Sequence, residues 1–150
     1  MADDRSFQNS APDDFPLRVL VVDDNGLNRA LMQAMLAEFG CTVSLAENGE
    51  TAGRLAGANA FDLIVMDLRM PVLDGDEAAR RIRAEGASRQ AFIVQWTTED
   101  LRLNGELYDG RLPKPLTCSP LVAAVSLATR RALNRMDRRE PDAGDIAETK

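Results

Sequence analysis

Histidine is absent from all 150 residues. Every His-dependent triad, every His-ligated metal site and any histidine phosphodonor is therefore excluded within this chain. Cysteine is scarce as well. Cys41 and Cys118 show neither metal-ligand nor disulfide spacing, which suits a reducing, cytoplasmic setting. No apolar run approaches the roughly 20 residues that a membrane helix needs, so no membrane span is expected. The opening MADDRSFQNSAPDD is acidic and polar and is no signal peptide. An excess of base is also missing: 18 Lys and Arg stand against 24 Asp and Glu, a net charge of −6. That balance argues against broad DNA affinity, because neutralising phosphates takes concentrated positive charge.

What remains is an ordinary globular composition, 45% hydrophobic and 28% charged, in a chain long enough to bury one core. Residues 1–16 read as a disordered acidic leader closed by Pro16, and residues 137–150 as a polar tail. Between them, short β-branched runs alternate with helical patterns. RVLVV (18–22), CTVSL (41–45), FDLIVM (61–66) and AFIVQW (91–96) read as strands, and RLP (111–113) as a brief fifth. The first helix places Leu27, Leu31, Ala34 and Met35 at helical spacing and stops at Gly40. A second starts at Glu47 or Asn48. A third, DEAARRIRAEG, carries a basic outer face. Ser119-Pro120 reads as the cap and first-turn proline of a last helix with Leu121, Val125, Ala128 and Ala132 on one stripe. Alternation of this kind predicts one α/β domain, a doubly wound parallel sheet over residues 17–136.

In open α/β sheets the site lies beyond the carboxyl ends of the strands. Here those ends carry Asp23-Asp24, Asp67, Thr97 and Lys114. Three carboxylates brought together repel each other, and a hard divalent cation is the usual remedy. Oxygen ligands without His or Cys favour Mg²⁺. A metal, an ammonium and a hydroxyl around one carboxylate form a cradle for a phosphoryl group. Asp67 is then the nucleophile, forming an acyl phosphate.

These pieces resemble the receiver domain of two-component response regulators. VVDDN (21–25), MDLRMPVLDG (66–75), Thr97 after a strand and Lys114-Pro115 occur in the family's order and at nearly its separations. The resemblance implies a flavodoxin-like fold with five strands in order 2-1-3-4-5 and five helices. It assigns Asp67 as phosphoacceptor and Asp24 as direct Mg²⁺ ligand, with Asp23 assisting through water and the backbone carbonyl of Arg69 completing the metal's protein ligands. Thr97 and Lys114 would contact phosphoryl oxygens, and the Lys114-Pro115 peptide would be cis. A histidine kinase or histidine phosphotransferase would be the phosphodonor, and output would be contact with a downstream protein or onward relay of phosphate. The chain would catalyse only its own phosphorylation and dephosphorylation and would not be a turnover enzyme. No DNA-binding or enzymatic output domain is expected after residue 136. DDNGLNRALMQAML and FDLIVMDLRMPVLDG look most like receivers attached to, or fed by, hybrid histidine kinases.

The chain also departs from the pattern. Only 16 residues separate Thr97 from Lys114, several fewer than usual, so the fourth helix should be short, distorted or missing. Arg111 stands where receivers commonly carry an inward-packing aromatic, and Thr98 where Ala or Gly is usual; the common aromatic switch is in question. Arg69 and Glu99 would either pair across the site mouth and hinder water or stand as two solvated charges. Arg130, Arg131, Arg135, Arg138 and Arg139 extend the last helix as an Arg-rich segment. Arginine forks suit phosphates, and some receiver-like regulators bind cyclic di-GMP through such tails. A cyclic dinucleotide such as cyclic di-GMP, or an acidic partner, is therefore one reading, centred on Arg130, Arg131 and Arg135. Intrahelical pairing with Asp137 and Glu140 is the other. The competing reading of the whole chain is a phosphorylation-independent binding module.

Overall fold

The computed structural model of the chain describes residues 16–68, 70, 73–98 and 104–149, with side chains up to residue 136. Five strands form one parallel sheet: β1 (Arg18–Val22), β2 (Thr42–Ala46), β3 (Leu63–Asp67), β4 (Phe92–Thr97) and β5 (Gly110–Pro113). Their order is β2-β1-β3-β4-β5, so β1 and β3 sit centrally, with β3 buried along its whole length. That burial explains why LIVM is a continuous apolar run and not an alternating one.

Four helices cover the two faces: α1 (Gly26–Glu38), α2 (Gly49–Ala58), α3 (Gly75–Ala84) and α4 (Cys118–Thr149). Side chains alternate across the sheet and split the core in two. Leu20, Val22, Ile64, Met66 and Ile93 pack toward α2 and α3. Val19, Val21, Leu63, Val65, Val94 and Trp96 pack toward α1 and α4. Asparagine and aspartate side chains start three of the helices. Asn25, Asn48 and Asp74 accept hydrogen bonds from the backbone N–H of Asn28, Thr51 and Glu77.

Several expectations shift in detail. In α1 the inward residues are Met32 and Leu36, while Leu27 is 78% exposed and Leu31 46% exposed. In α4 the predicted stripe holds, with Leu121, Ala128 and Ala132 buried and Val125 partly buried. The helix begins at Cys118, so Ser119 and Pro120 lie inside its first turn. Its backbone also continues to Thr149, through residues read as a polar tail. In α3 the basic face is not all outward: Arg83 turns in and donates to the carbonyls of Leu107, Arg89 and Ala91.

The shortened connection before β5 carries no helix among the described residues. Asn104 accepts from the N–H of Leu107 and Tyr108, a turn that presses both side chains into the core beside Ile93. The Tyr108 hydroxyl donates to Asp76 Oδ1 at 2.6 Å, at the start of α3. Arg111 faces the same side as Tyr108, half-buried, with its Nε donating to Gln95 Oε1 at 3.3 Å. A guanidinium among apolar side chains needs such an acceptor. Among the described residues, the place of a fourth helix in the chain order is taken by a two-residue plug and polar contacts. Residues 1–15 lie outside the described part. No helix among the described residues is long and apolar enough to cross a membrane.

Candidate functional site

Four of the five strands bring a polar side chain to the carboxyl edge of the sheet. β1 runs into Asp23, β3 ends at Asp67, β4 ends at Thr97, and Lys114 follows β5. Pairing of β3 with β4 sets Asp67 beside Trp96, and β5 pairs beside β4 with Thr97 next to Pro113. The tertiary register therefore collects residues that are far apart in sequence.

Asp23 and Asp67 are buried while Asp24 is exposed at the rim. One carboxylate oxygen from each of the three lies within 4.8 Å of the others. Two buried carboxylates at that separation need positive charge. Lys114 supplies part of it: its Nζ stands 3.0 Å from Asp23 Oδ2 and 3.2 Å from Asp67 Oδ1. Burial pulls the Lys114 pKa down, but the hydrogen bond and charge of Asp23, and then Asp67, outweigh it and leave the pKa raised. The lysine is held as an ammonium. Its Nζ also lies 4.8 Å from the centre of the Trp96 ring, which forms an apolar floor beneath the charge. The Lys114-Pro115 peptide is cis, as the resemblance implies.

The acids are held by neighbours that sequence patterns do not single out. Asp23 accepts from the Asn25 N–H at 2.9 Å and from the Asn28 side chain at 3.3 Å. Arg29 Nη1 donates to the Asp23 carbonyl at 2.7 Å. Asn28 sits one helical turn after the Asn25 cap, so the cap's position is the one signal that points to it. Gly75 is a second such residue. Its N–H donates to the Leu68 carbonyl at 3.0 Å, and a Cβ there would overlap the Asp67 carbonyl oxygen. Only glycine lets α3 start this close to the strand end that carries Asp67.

Asp23, Asp24, Asp67, Thr97 and Lys114 thus line one cleft of about 270 Å³, together with Thr98. The donor set is all oxygen, small and rich in carboxylate, which fits Mg²⁺ and not a softer metal. Arg69 and Glu99 lie outside the described residues, so the Arg69 carbonyl and the pairing of those two side chains do too.

The Arg-rich segment lies elsewhere, beside the opposite end of β4. Arg131 grips Asp109 through Nη1 at 3.1 Å and Nη2 at 2.8 Å, and Arg83 reaches the same carboxylate at 2.8 Å. Arg135 pairs with Asp62 at 3.3 Å. Two of the three candidate arginines therefore have carboxylate partners within the chain. These differ from the intrahelical acids considered above.

Comparison with known proteins agrees with this geometry. The model of the response regulator receiver domain family matches residues 19–126. The chain is 42% identical over 107 residues to the autoinducer 1 sensor kinase/phosphatase LuxN of Vibrio campbellii, a match covering 69% of this chain but 12% of that protein. Among solved structures it is similar to the receiver domain of the sensor histidine kinase PA1611 from Pseudomonas aeruginosa, which has a magnesium ion coordinated in its active-site cleft. There the TM-score is 0.69 at 32% identity, over 77% of this chain and 98% of that one. It is also similar to a chain in the co-crystal of the Saccharomyces cerevisiae phosphotransfer protein Ypd1 with the receiver domain of Ssk1. That match has a TM-score of 0.63 at 28% identity, over 71% of this chain and 84% of that one. With the family model spanning residues 19–126, most of its length, and a parallel sheet in order β2-β1-β3-β4-β5, this chain belongs to the response regulator receiver domains.

Proposed function

We propose that the chain accepts a phosphoryl group on Asp67 from a phosphohistidine of a histidine kinase or phosphotransferase, with Mg²⁺, and acts as a response regulator without turnover catalysis. The observation that carries this reading is Lys114 Nζ lodged between Asp23 and Asp67 at 3.0 and 3.2 Å. A phosphorylation-independent binding module would have no use for an ammonium held against two buried acids at a cleft.

In this reading an Asp67 carboxylate oxygen attacks phosphorus in line, the P–N bond to the donor histidine breaks, and an acyl phosphate forms on Asp67. Asp23, Asp24 and Asp67 would hold Mg²⁺, which would neutralise charge on the phosphoryl oxygens. Lys114 leaves one of its two carboxylates to meet a phosphoryl oxygen, and the Thr97 hydroxyl donates to another. Asn25 and Asn28 keep Asp23 aimed at the cleft, so the acids need no rearrangement. Leu27 and Leu31, exposed on α1 just beyond Asp23-Asp24-Asn25, offer the donor protein an apolar foothold at the mouth. Output then passes by protein contact or onward transfer to a second histidine.

The test is incubation with labelled phosphotransferase and with Mg²⁺. Label that is lost in alkali and in hydroxylamine, as an acyl phosphate is, should appear on the intact chain and be absent from Asp67→Asn. Equal labelling of the two would overturn the assignment.

A further inference from the structure

A second cleft, of about 620 Å³, lies beside the amino end of β4 and is lined by Arg83, Arg89, Arg130, Arg131 and Arg135. We infer that this cleft binds a small oligophosphate anion. The inference is independent of the phosphorylation reading, because the cleft shares no residue with the acidic site.

Charge carries the argument. The chain has a net charge of −6, yet here five guanidiniums face one concavity. Asp109 takes Arg83 and Arg131, and Asp62 takes Arg135. Five cations against the two carboxylates that pair with them leave a surplus of three positive charges. Among the described residues, Arg89 donates only to the Gly86 carbonyl, at 3.0 Å. Arg130 has no ion pair among the described residues, and the helical neighbours within its reach, Ser126, Leu127, Leu133 and Asn134, are not acidic.

Organisation is the second point. Arg131 is fixed by two bonds to Asp109 and stacks over the Phe92 ring at 4.9 Å. Arg83 is fixed by three backbone carbonyls. Two arginines are thus set in place, while exposed Arg89 and Arg130 reach the same cleft from different elements, one from the loop before β4 and one from α4. Forks from two elements suit an anion with several oxygens, as in a diphosphate. The cleft is open to solvent, and its volume falls within the range of small-molecule sites, which suits a compact anion.

Inorganic pyrophosphate is the probe, titrated calorimetrically into the full chain with chelator present and no divalent cation. One-to-one binding is expected, and Arg89→Ala/Arg130→Ala should weaken it by about tenfold or more. Both residues are exposed, so an unchanged melting temperature and unchanged Asp67 labelling in that variant separate lost contacts from lost fold. No heat with the intact chain, or equal affinity in the variant, overturns the inference. Binding abolished by Lys114→Ala and not by the arginine variant would place the probe at the acidic site, and also overturns it. Adenosine diphosphate is the second arm. Tighter binding than pyrophosphate supports a nucleotide source with its ring on Leu127, and equal binding supports recognition of the phosphates alone. An acidic peptide that binds tighter than both anions would overturn the small-ligand inference.

Discussion

At the carboxyl end of β1 and β3, one ammonium is shared by two buried acids. Beside β5, two guanidiniums close on one acid. Lys114 stands 3.0 and 3.2 Å from Asp23 and Asp67, with Asp24 exposed at the rim. Asp109 receives two bonds from Arg131, one from Arg83 and one from the Ile93 N–H, which fills its acceptor positions. The first arrangement sets three acids around one ammonium among the described residues, and in the proposed reading it would take a metal and a phosphoryl group. The second is saturated and serves as a tie among α3, β4, β5 and α4. A cluster of charges reads as reactive or structural according to which side of that balance it falls.

The comparison breaks most completely at Gly75, where backbone contact transmits directly to the reactive end. A methyl group at this position would overlap the Asp67 carbonyl and sit 3.0 Å from Leu68 Cα. Neither backbone atom can swing aside as a side chain would. Gly75→Ala should cost about 3 kcal/mol of stability in urea unfolding. Because the strain displaces Asp67 itself, labelling by a phosphodonor should fall by about 100-fold. A variant that labels normally would show that Asp67 tolerates movement of its loop.

Asp109→Asn tests the saturated end. It leaves Arg83 and Arg131 without their carboxylate in a half-buried setting, and a loss of about 2 kcal/mol is expected. Labelling of Asp67 should stay near that of the intact chain, since the tie lies away from the acids. The pH dependence follows from the same contacts. Burial pushes the Asp109 pKa up, but the Arg131 hydrogen bond, the Ile93 N–H, the Arg131 charge and Arg83 together bring it below its ordinary 3.8. A depressed carboxylate stabilises the fold fully above 3.8, and that contribution is lost as pH falls through the depressed value. The stability gap between intact chain and variant should therefore narrow in acid below 3.8. A gap independent of pH there would assign the effect to packing.

The reactive end was legible in the sequence because each of its residues terminates a strand or follows one. Asp23, Asp67 and Thr97 need only the direction of a parallel sheet to be placed at one edge, and runs such as LVV and LIVM declare those strands. The sheet order and the shortened β4–β5 connection, by contrast, came from the resemblance to the family and not from the strand pattern itself. The saturated end was not legible. Asp109 and Arg131 meet across 22 residues, and Arg83 and Asp109 across 26, with no periodicity or motif linking them. Arg83 looked like one of several outward arginines on α3 because helical spacing says which face a residue is on, not that its guanidinium reaches the carbonyls of Arg89 and Ala91 before β4 and of Leu107 before β5. Leu27 and Leu31 misled in the opposite way. They keep helical spacing with Met35, yet α1 rolls its Met32–Leu36 side inward because the first turn must bring Asn25 and Asn28 to Asp23.

Tyr108 joins the two regions, and its hydroxyl gives the finest test. It is 2% exposed, packs into the core beside Ile93, and bonds to Asp76 in the first turn of α3, one residue after Gly75. Burial first, then the Asp76 hydrogen bond and charge, raise its pKa far above the ordinary phenol range, so the ring stays neutral and donating at every pH where the chain is folded. Tyr108→Phe keeps the ring and the plug but leaves Asp76 without its donor. Because Asp76 lies near the surface and water can replace the hydroxyl, the cost should be about 1 kcal/mol. If the bond only anchors the plug, the urea midpoint falls while Asp67 labelling and dephosphorylation rates stay unchanged. If it also steadies the loop between Asp67 and α3, the acyl-phosphate lifetime changes along with the midpoint. The two ends of the sheet are then mechanically joined through one phenol, and the separation between a reactive and a structural cluster holds for their charges but not for their motions.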